Sequence, residues 1–235
     1  MITLLFVDEH VVVADKPSGL LVHRGWGDDD DVALFRVRDA VGEHVHPIHR
    51  LDRGTSGALL FARSREAASV LCRSFEAGSV EKRYLALVRG TPPAEGVIDY
   101  PLTRSEDGPR VPAVTRFRFV RRSPVDRCSL VLAAPATGRL HQIRRHLRHI
   151  HHPLIGDVTY GSGVINRHYR AAYDLHRLAL HACRLGFDHP VTGVRIVVDA
   201  PVPDDLAAAL ERLDLVTDIA AILAEHGRST SEVCA

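Results

Sequence analysis

His49-Arg50-Leu51-Asp52-Arg53-Gly54-Thr55-Ser56-Gly57, running directly into Ala58-Leu59-Leu60-Phe61-Ala62, is the stretch that decides how this chain folds. A polar, charge-dense segment delivers the chain into a short apolar run over 57–62, which reads as a buried strand, and Ser64 stands ready to cap a helix reaching about Phe75. The charged segment is therefore a loop at a strand entrance. Upstream, Leu4 to Ala14 gives two short β-runs around Asp8-Glu9, and Lys16-Pro17-Ser18-Gly19 reads as a turn. Downstream, Tyr84–Val88, Val97–Leu102, Val114–Val120 and Cys128–Ala133 alternate or are β-branched, with turn residues between them.

From Leu140 the period becomes helical. Leu140, Ile143, Leu147 and Ile150 form one stripe, His141, Arg145, Arg148 and His152 lie opposite, and Pro153 stops the helix. Leu178–Phe187 and Val194–Asp199 flank a Pro- and Gly-containing connection and predict a closing hairpin, and one or two amphipathic helices follow from Asp204. The fold class is α+β, a mixed α/β architecture with a central, largely antiparallel sheet flanked by helices and loops. No internal repeat or long linker interrupts it, and the four aspartates Asp28–Asp31 read as a solvated loop.

Composition excludes disorder: 46% of the 235 residues are hydrophobic and 25% charged. The formal net charge of +1 conceals segregation. Between Arg110 and Ile150 stand ten arginines and one acid, Asp126, whereas 201–235 holds seven acids against Arg212 and Arg228. A basic block of that kind suits a polyanionic partner. The scattered cysteines Cys72, Cys128, Cys183 and Cys234 form no CxxC pair, so neither a zinc knuckle nor a disulfide framework is expected, and a reduced cytoplasm fits. The apolar opening is too short for a signal sequence, and no run is long enough to span a membrane.

Taken alone, an aspartate beside arginines in a loop is an ordinary ion pair or turn. Two further segments change that reading. HRLDRGTSG at 49–57, EKRYLALVRG at 81–90 and TGRLHQIRRHL at 137–147 resemble the signature blocks of the pseudouridine synthases of the large-subunit rRNA/tRNA type, the RluA family. HPLIGD at 152–157 and LHACRLGFDHPVTG at 180–193 extend the resemblance over about Leu4 to Pro201. KPSGLLVHRGW at 16–26, FEAGSVEKRY at 75–84, IDYPL at 98–102 and HQIRRHLRHIHHPLIGD at 141–157 resemble the family's tRNA-directed branch.

The resemblance implies a pseudouridine-synthase fold, with a catalytic domain over 1–203 and a C-terminal helical appendage or partly mobile tail over 204–235. It implies that a specific uridine in structured RNA, foremost tRNA, is isomerised. An rRNA-directed synthase of the same family and a non-catalytic RNA-binding or RNA-folding protein are the alternatives. Asp52 is then the essential carboxylate, acting as nucleophile at C1′ or base at C2′. Arg144, on the flank of the apolar stripe, is the cation that keeps it ionised. Tyr84 stacks on the uracil and helps move the C5 proton. Leu180 is the apolar wall opposite, and Arg50 fills the gap left by the flipped nucleotide. Arg139, Arg145 and Arg148, with Arg116, Arg118, Arg121 and Arg122, are expected at phosphates.

The reaction is an internal rearrangement, so no cofactor and no metal are expected. The histidine run His141, His146, His149, His151 and His152 has zinc-like spacings but holds no carboxylate, and His146 lies on a different helical face from His149. Gly54 follows Arg53 where many family members place a proline, which puts the rigidity of the Asp52 loop in question. With so few residues ahead of Lys16, RNA binding is expected to fall to the catalytic domain itself, acting as a monomer.

Overall fold

A computed structural model describes residues 1–24, 30–103, 108–215 and 218–226. In chain order the first elements are β1 (Thr3–Val7), β2 (Val11–Lys16), α1 (Ala33–Val41), β3 (His46–Pro47), β4 (Ser56–Ala62) and α2 (Arg65–Glu76). Next come β5 (Glu81–Arg89), β6 (Glu95–Asp99), β7 (Leu102–Thr103), β8 (Arg110–Val111), β9 (Val114–Arg122) and β10 (Cys128–Pro135). The remainder is α3 (Gln142–His149), α4 (Gly163–Tyr173), β11 (Leu180–Asp188), β12 (Arg195–Asp199), α5 (Asp204–Arg212) and α6 (Ile219–His226). The chain groups into two compact units, one of residues 1–82 and 181–201, the other of 83–180 and 202–235.

In the first unit β2 pairs antiparallel with both β1 and β4, and β11 pairs antiparallel with β12. The expected entry strands and closing hairpin are thus present. The exception to antiparallel order is β4 against β11, which run parallel with His181 opposite Ser56 and Ala182 opposite Gly57. All seven residues of β4 are buried, as the apolar run required. Leu60, Val11, Val13, Phe187 and Leu185 pack with Ala67 and Leu71 of α2, and the Ser64 side chain accepts the Ala67 amide as the expected cap.

Gly57 shows why the strand begins with glycine. Its φ is +110°, and a Cβ there would stand 2.3 Å from the Ala182 carbonyl oxygen, so only glycine allows β4 and β11 to approach.

In the second unit β5, β10, β9 and β6 form consecutive antiparallel pairs, with a separate β7–β8 pair. Ala86, Val88, Val131, Ala133 and Phe117 pack with Ile143 and Leu147 of α3. The C-terminal segment is tied here as well: Ser123 donates to the Leu213 carbonyl, and Arg177 pairs with Asp205 at the start of α5.

Two features depart from the sequence reading. Helices α1 and α4 were not anticipated, because neither has a side-chain cap. The first amides of α1 instead donate to the Leu21 and Val22 carbonyls, a backbone cap that composition cannot reveal. Leu140 does not share the α3 stripe: the helix begins at Gln142, and Leu140 is exposed. Of the Asp28–Asp31 run, Asp28 and Asp29 lie outside the described residues, as does Trp26, while Asp30 and Asp31 are exposed and pair with Arg24 and Arg36.

Candidate active site

The Asp52 loop is tied to the Lys16–Leu20 segment of the first unit. The side chain of Lys16 is fully buried, and its ammonium donates to the carbonyls of Pro17, Leu20 and Arg53. Ser18 donates to the Gly54 carbonyl at 2.8 Å, the Gly19 amide to the Arg53 carbonyl, and Arg53 Nε returns a bond to the Gly19 carbonyl. The Thr55 amide closes the turn onto the Asp52 carbonyl. Three consecutive residues, Asp52, Arg53 and Gly54, therefore have their carbonyls fixed. The rigidity that Gly54 puts in question is supplied by the Lys16–Gly19 turn. Asp52 itself is half-buried, and Arg50 is exposed.

His49 has a role that sequence reasoning missed. Its Nε2 accepts the Leu60 amide at 3.1 Å, so that nitrogen carries no proton, and its ring stacks on Phe75. Burial, with the Lys82 charge adding to it, pushes its pKa down to about 3. The histidine at the head of the loop is thus a neutral post joining it to β4, not one of the segment's cations. His181 is a second post: Nε2 donates to the Ala200 carbonyl, leaving Nδ1 to accept the Ser56 hydroxyl at 2.9 Å.

Tyr84, Leu180 and Arg144 belong to the second unit. Tyr84, in β5 opposite Ala133, packs half-buried on the cluster that contains Leu180, Ile143 and Leu147. Tyr84 and Leu180 therefore share one apolar cluster with the helix that carries Arg144. Arg144 is buried, and its guanidinium makes a bidentate pair with Asp157, Nε to Oδ2 at 2.8 Å and Nη2 to Oδ1 at 2.9 Å. Asp157 Oδ1 also accepts the amides of Thr159 and Tyr160. Burial pushes the Asp157 carboxyl up, but Arg144 and these amides outweigh it and hold the group below its usual range. The Tyr160 ring lies 5.1 Å from the guanidinium carbon.

The remaining arginines separate. Arg145, half-buried, donates to both the carbonyl and the hydroxyl of Thr103. Arg139 Nε donates to the Pro112 carbonyl while the residue stays exposed, and Arg148 is exposed on α3. On β9, Arg118 pairs with Glu95, and Arg116, Arg121 and Arg122 are exposed. The histidine run is dispersed among separate duties. His146 is buried between the Thr115 hydroxyl and the Tyr100 carbonyl, His149 stacks on Tyr100, and His141 meets the Tyr160 hydroxyl.

A carboxylate on a fixed loop, a tyrosine on an apolar floor and a clamped arginine all fall within segments that recur in known proteins. The family described as RNA pseudouridylate synthase matches residues 10–149. The tRNA pseudouridine synthase C of Pasteurella multocida is 43% identical, the match covering 85% of this chain and 90% of that protein. Its counterpart from Pectobacterium carotovorum is 42% identical over 85% of this chain, which spans only 59% of that relative's length. Among solved structures, human RNA pseudouridylate synthase domain containing 4 superposes with a TM-score of 0.74 at 27% identity, covering 91% of this chain and 94% of its own. With the family matched across the Asp52 loop, the Tyr84 strand and α3, and with the fold shared, this chain belongs to the RNA pseudouridylate synthases.

Proposed function

We propose that the protein converts a specific uridine of tRNA to pseudouridine, with Asp52 as the essential carboxylate. The C1′–N1 glycosidic bond breaks, the base turns, a C1′–C5 bond forms, C5 gives up its proton and N1 takes one. Asp52 acts first, as nucleophile at C1′ or base at C2′. Arg144 supplies the positive charge that keeps this carboxylate ionised beneath a base that excludes water. Tyr84 stacks on the uracil and assists at C5, and Leu180 presses from the other side. The uridine must leave its stack to be reached, at a cost of a few kcal/mol, which Arg50 and arginine–phosphate contacts offset.

The observation that carries the reading is the Asp52 loop, half-open to solvent yet hydrogen-bonded at three successive carbonyls. Such pre-organisation suits a residue whose reactive position matters. The names of the bacterial relatives support tRNA over rRNA as the substrate. No helix among the described residues is long and apolar enough to cross a membrane, and we take the enzyme to act as a cytoplasmic monomer.

The test uses RNA labelled with tritium at uridine C5, since that hydrogen is lost when C5 bonds to the sugar. Purified protein should release one equivalent per tRNA and none from rRNA fragments. Release from rRNA alone would reassign the substrate, and release from neither would overturn the activity.

A further inference from the structure

We infer that the stacked rings of Tyr100 and His149 form a platform for an unpaired nucleobase of the RNA substrate, a nucleotide other than the one isomerised. The inference rests on the proposed RNA substrate. The two ring centroids lie 3.8 Å apart with their planes 19° from parallel, a face-to-face stack. Tyr100 is held through both sides of its backbone: its amide donates to the Ala113 carbonyl, and its carbonyl accepts from His146 Nε2. Arg110 donates to its hydroxyl, with the guanidinium carbon 5.1 Å from the ring centroid. The ring beneath His149 is therefore fixed before any RNA arrives.

His149 is exposed on the last turn of α3, and its ring nitrogens make no hydrogen bond among the described residues. A histidine at a helix C-terminus offsets the helix dipole without any ring beneath it. Lying on an anchored tyrosine, this one presents its outer face to solvent, the kind of surface on which bases of single-stranded RNA stack. Charge favours the same occupant. Arg110 stands opposite Thr103 in the β7–β8 pair, Arg145 donates to Thr103, and Arg148 is exposed next to His149, three cations against the exposed Asp99 beside Tyr100. His149 lies beyond Arg144 on the same helix by about 7.5 Å along the axis and about 140° around it, so a base stacked there is not the base under attack.

Affinity for unmodified tRNA is to be measured at several salt concentrations for wild type, His149→Ala and His149→Phe. His149→Ala removes the stacking ring and should weaken binding about tenfold with the slope of log affinity against log salt unchanged. His149→Phe keeps a flat ring without its nitrogens and should bind within about threefold of wild type. The inference would be overturned by a His149→Ala affinity within about twofold of wild type, by a slope reduced by about 0.9 as for one lost phosphate contact, or by a His149→Phe as weak as His149→Ala. His149→Trp gives a direct reading, with the wild-type protein, whose single tryptophan is Trp26, as the blank. The added indole emission should be quenched by tRNA and not by a fully double-stranded RNA, whose bases are all paired; equal quenching by both, or by neither, would again overturn the inference. A wild type that isomerises nothing, yet loses tRNA affinity in His149→Ala, refutes the functional reading and supports the platform. An active wild type beside an equally tight His149→Ala refutes the platform alone.

Discussion

The side chains that hold the site are as distinctive as those expected to do its chemistry, and His49 makes the point through pH. In the folded chain it is neutral, since its Nε2 accepts the Leu60 amide, and it takes a proton only near pH 3. Unfolded, it takes one near its ordinary 6.5. Between those values the unfolded state binds more protons, so stability must fall as the pH drops through that window, by at most about 1.4 kcal/mol per pH unit. His49→Gln preserves an acceptor for Leu60 without the titration. Melting temperatures from pH 7 to 4 should show wild type losing more than the variant, by about 2 to 4 °C for each kcal/mol. Parallel curves would remove His49 from this role. Asp157 acts lower, its contribution lost only as the pH falls below the ordinary carboxylate value of 3.8 toward its own depressed one. Asp52, Tyr84 and Arg144 could be picked out because they sit inside recognisable blocks. His49 and Asp157 sit in such blocks too, but their work depends on partners 11 and 13 residues away, spacings that carry no periodic signal.

Among the elements, β4, α2 and the β11–β12 hairpin were legible because their determinants are local: an apolar run, a serine cap, a turn. Helix α1 was not, since its cap comes from the Leu21 and Val22 carbonyls, and neither was the parallel β4–β11 contact, which only Gly57 permits. Helix α3 was legible as a helix but not in its burial, because Gln142, Arg144 and His146 are buried beside Ile143 and Leu147. A polar network makes that burial tolerable. Gln142 Nε2 donates to the Val114 carbonyl and the Thr115 hydroxyl, while its Oε1 accepts from Thr137 and the Arg139 amide. Gln142→Ala strips all four contacts and should destabilise the protein by about 2 to 4 kcal/mol, since buried groups on Thr115 and Val114 lose a partner. Denaturant unfolding checks this, and a loss below about 0.5 kcal/mol would show the network to be dispensable.

For the molecule as a whole, the near-zero net charge conceals a basic stretch whose members differ in availability. Arg148 is exposed, but Arg145 is committed to Thr103. Arg148→Ala should therefore weaken tRNA binding and reduce the slope of log affinity against log salt by up to about 0.9, the value for one phosphate contact, and Arg145→Ala should leave that slope nearly unchanged. Equal slope changes would put Arg145 on the phosphate-binding face. Because the chemistry is an internal rearrangement, full activity is also expected in excess EDTA, and restoration of chelated enzyme by zinc alone would contradict the scheme. The role of Asp52 is tested most directly by single-turnover pseudouridine formation on tRNA by Asp52→Asn, measured beside its tRNA affinity. No detectable product is expected, with affinity within about threefold of wild type, and a rate within about tenfold of wild type would remove Asp52 as the essential carboxylate.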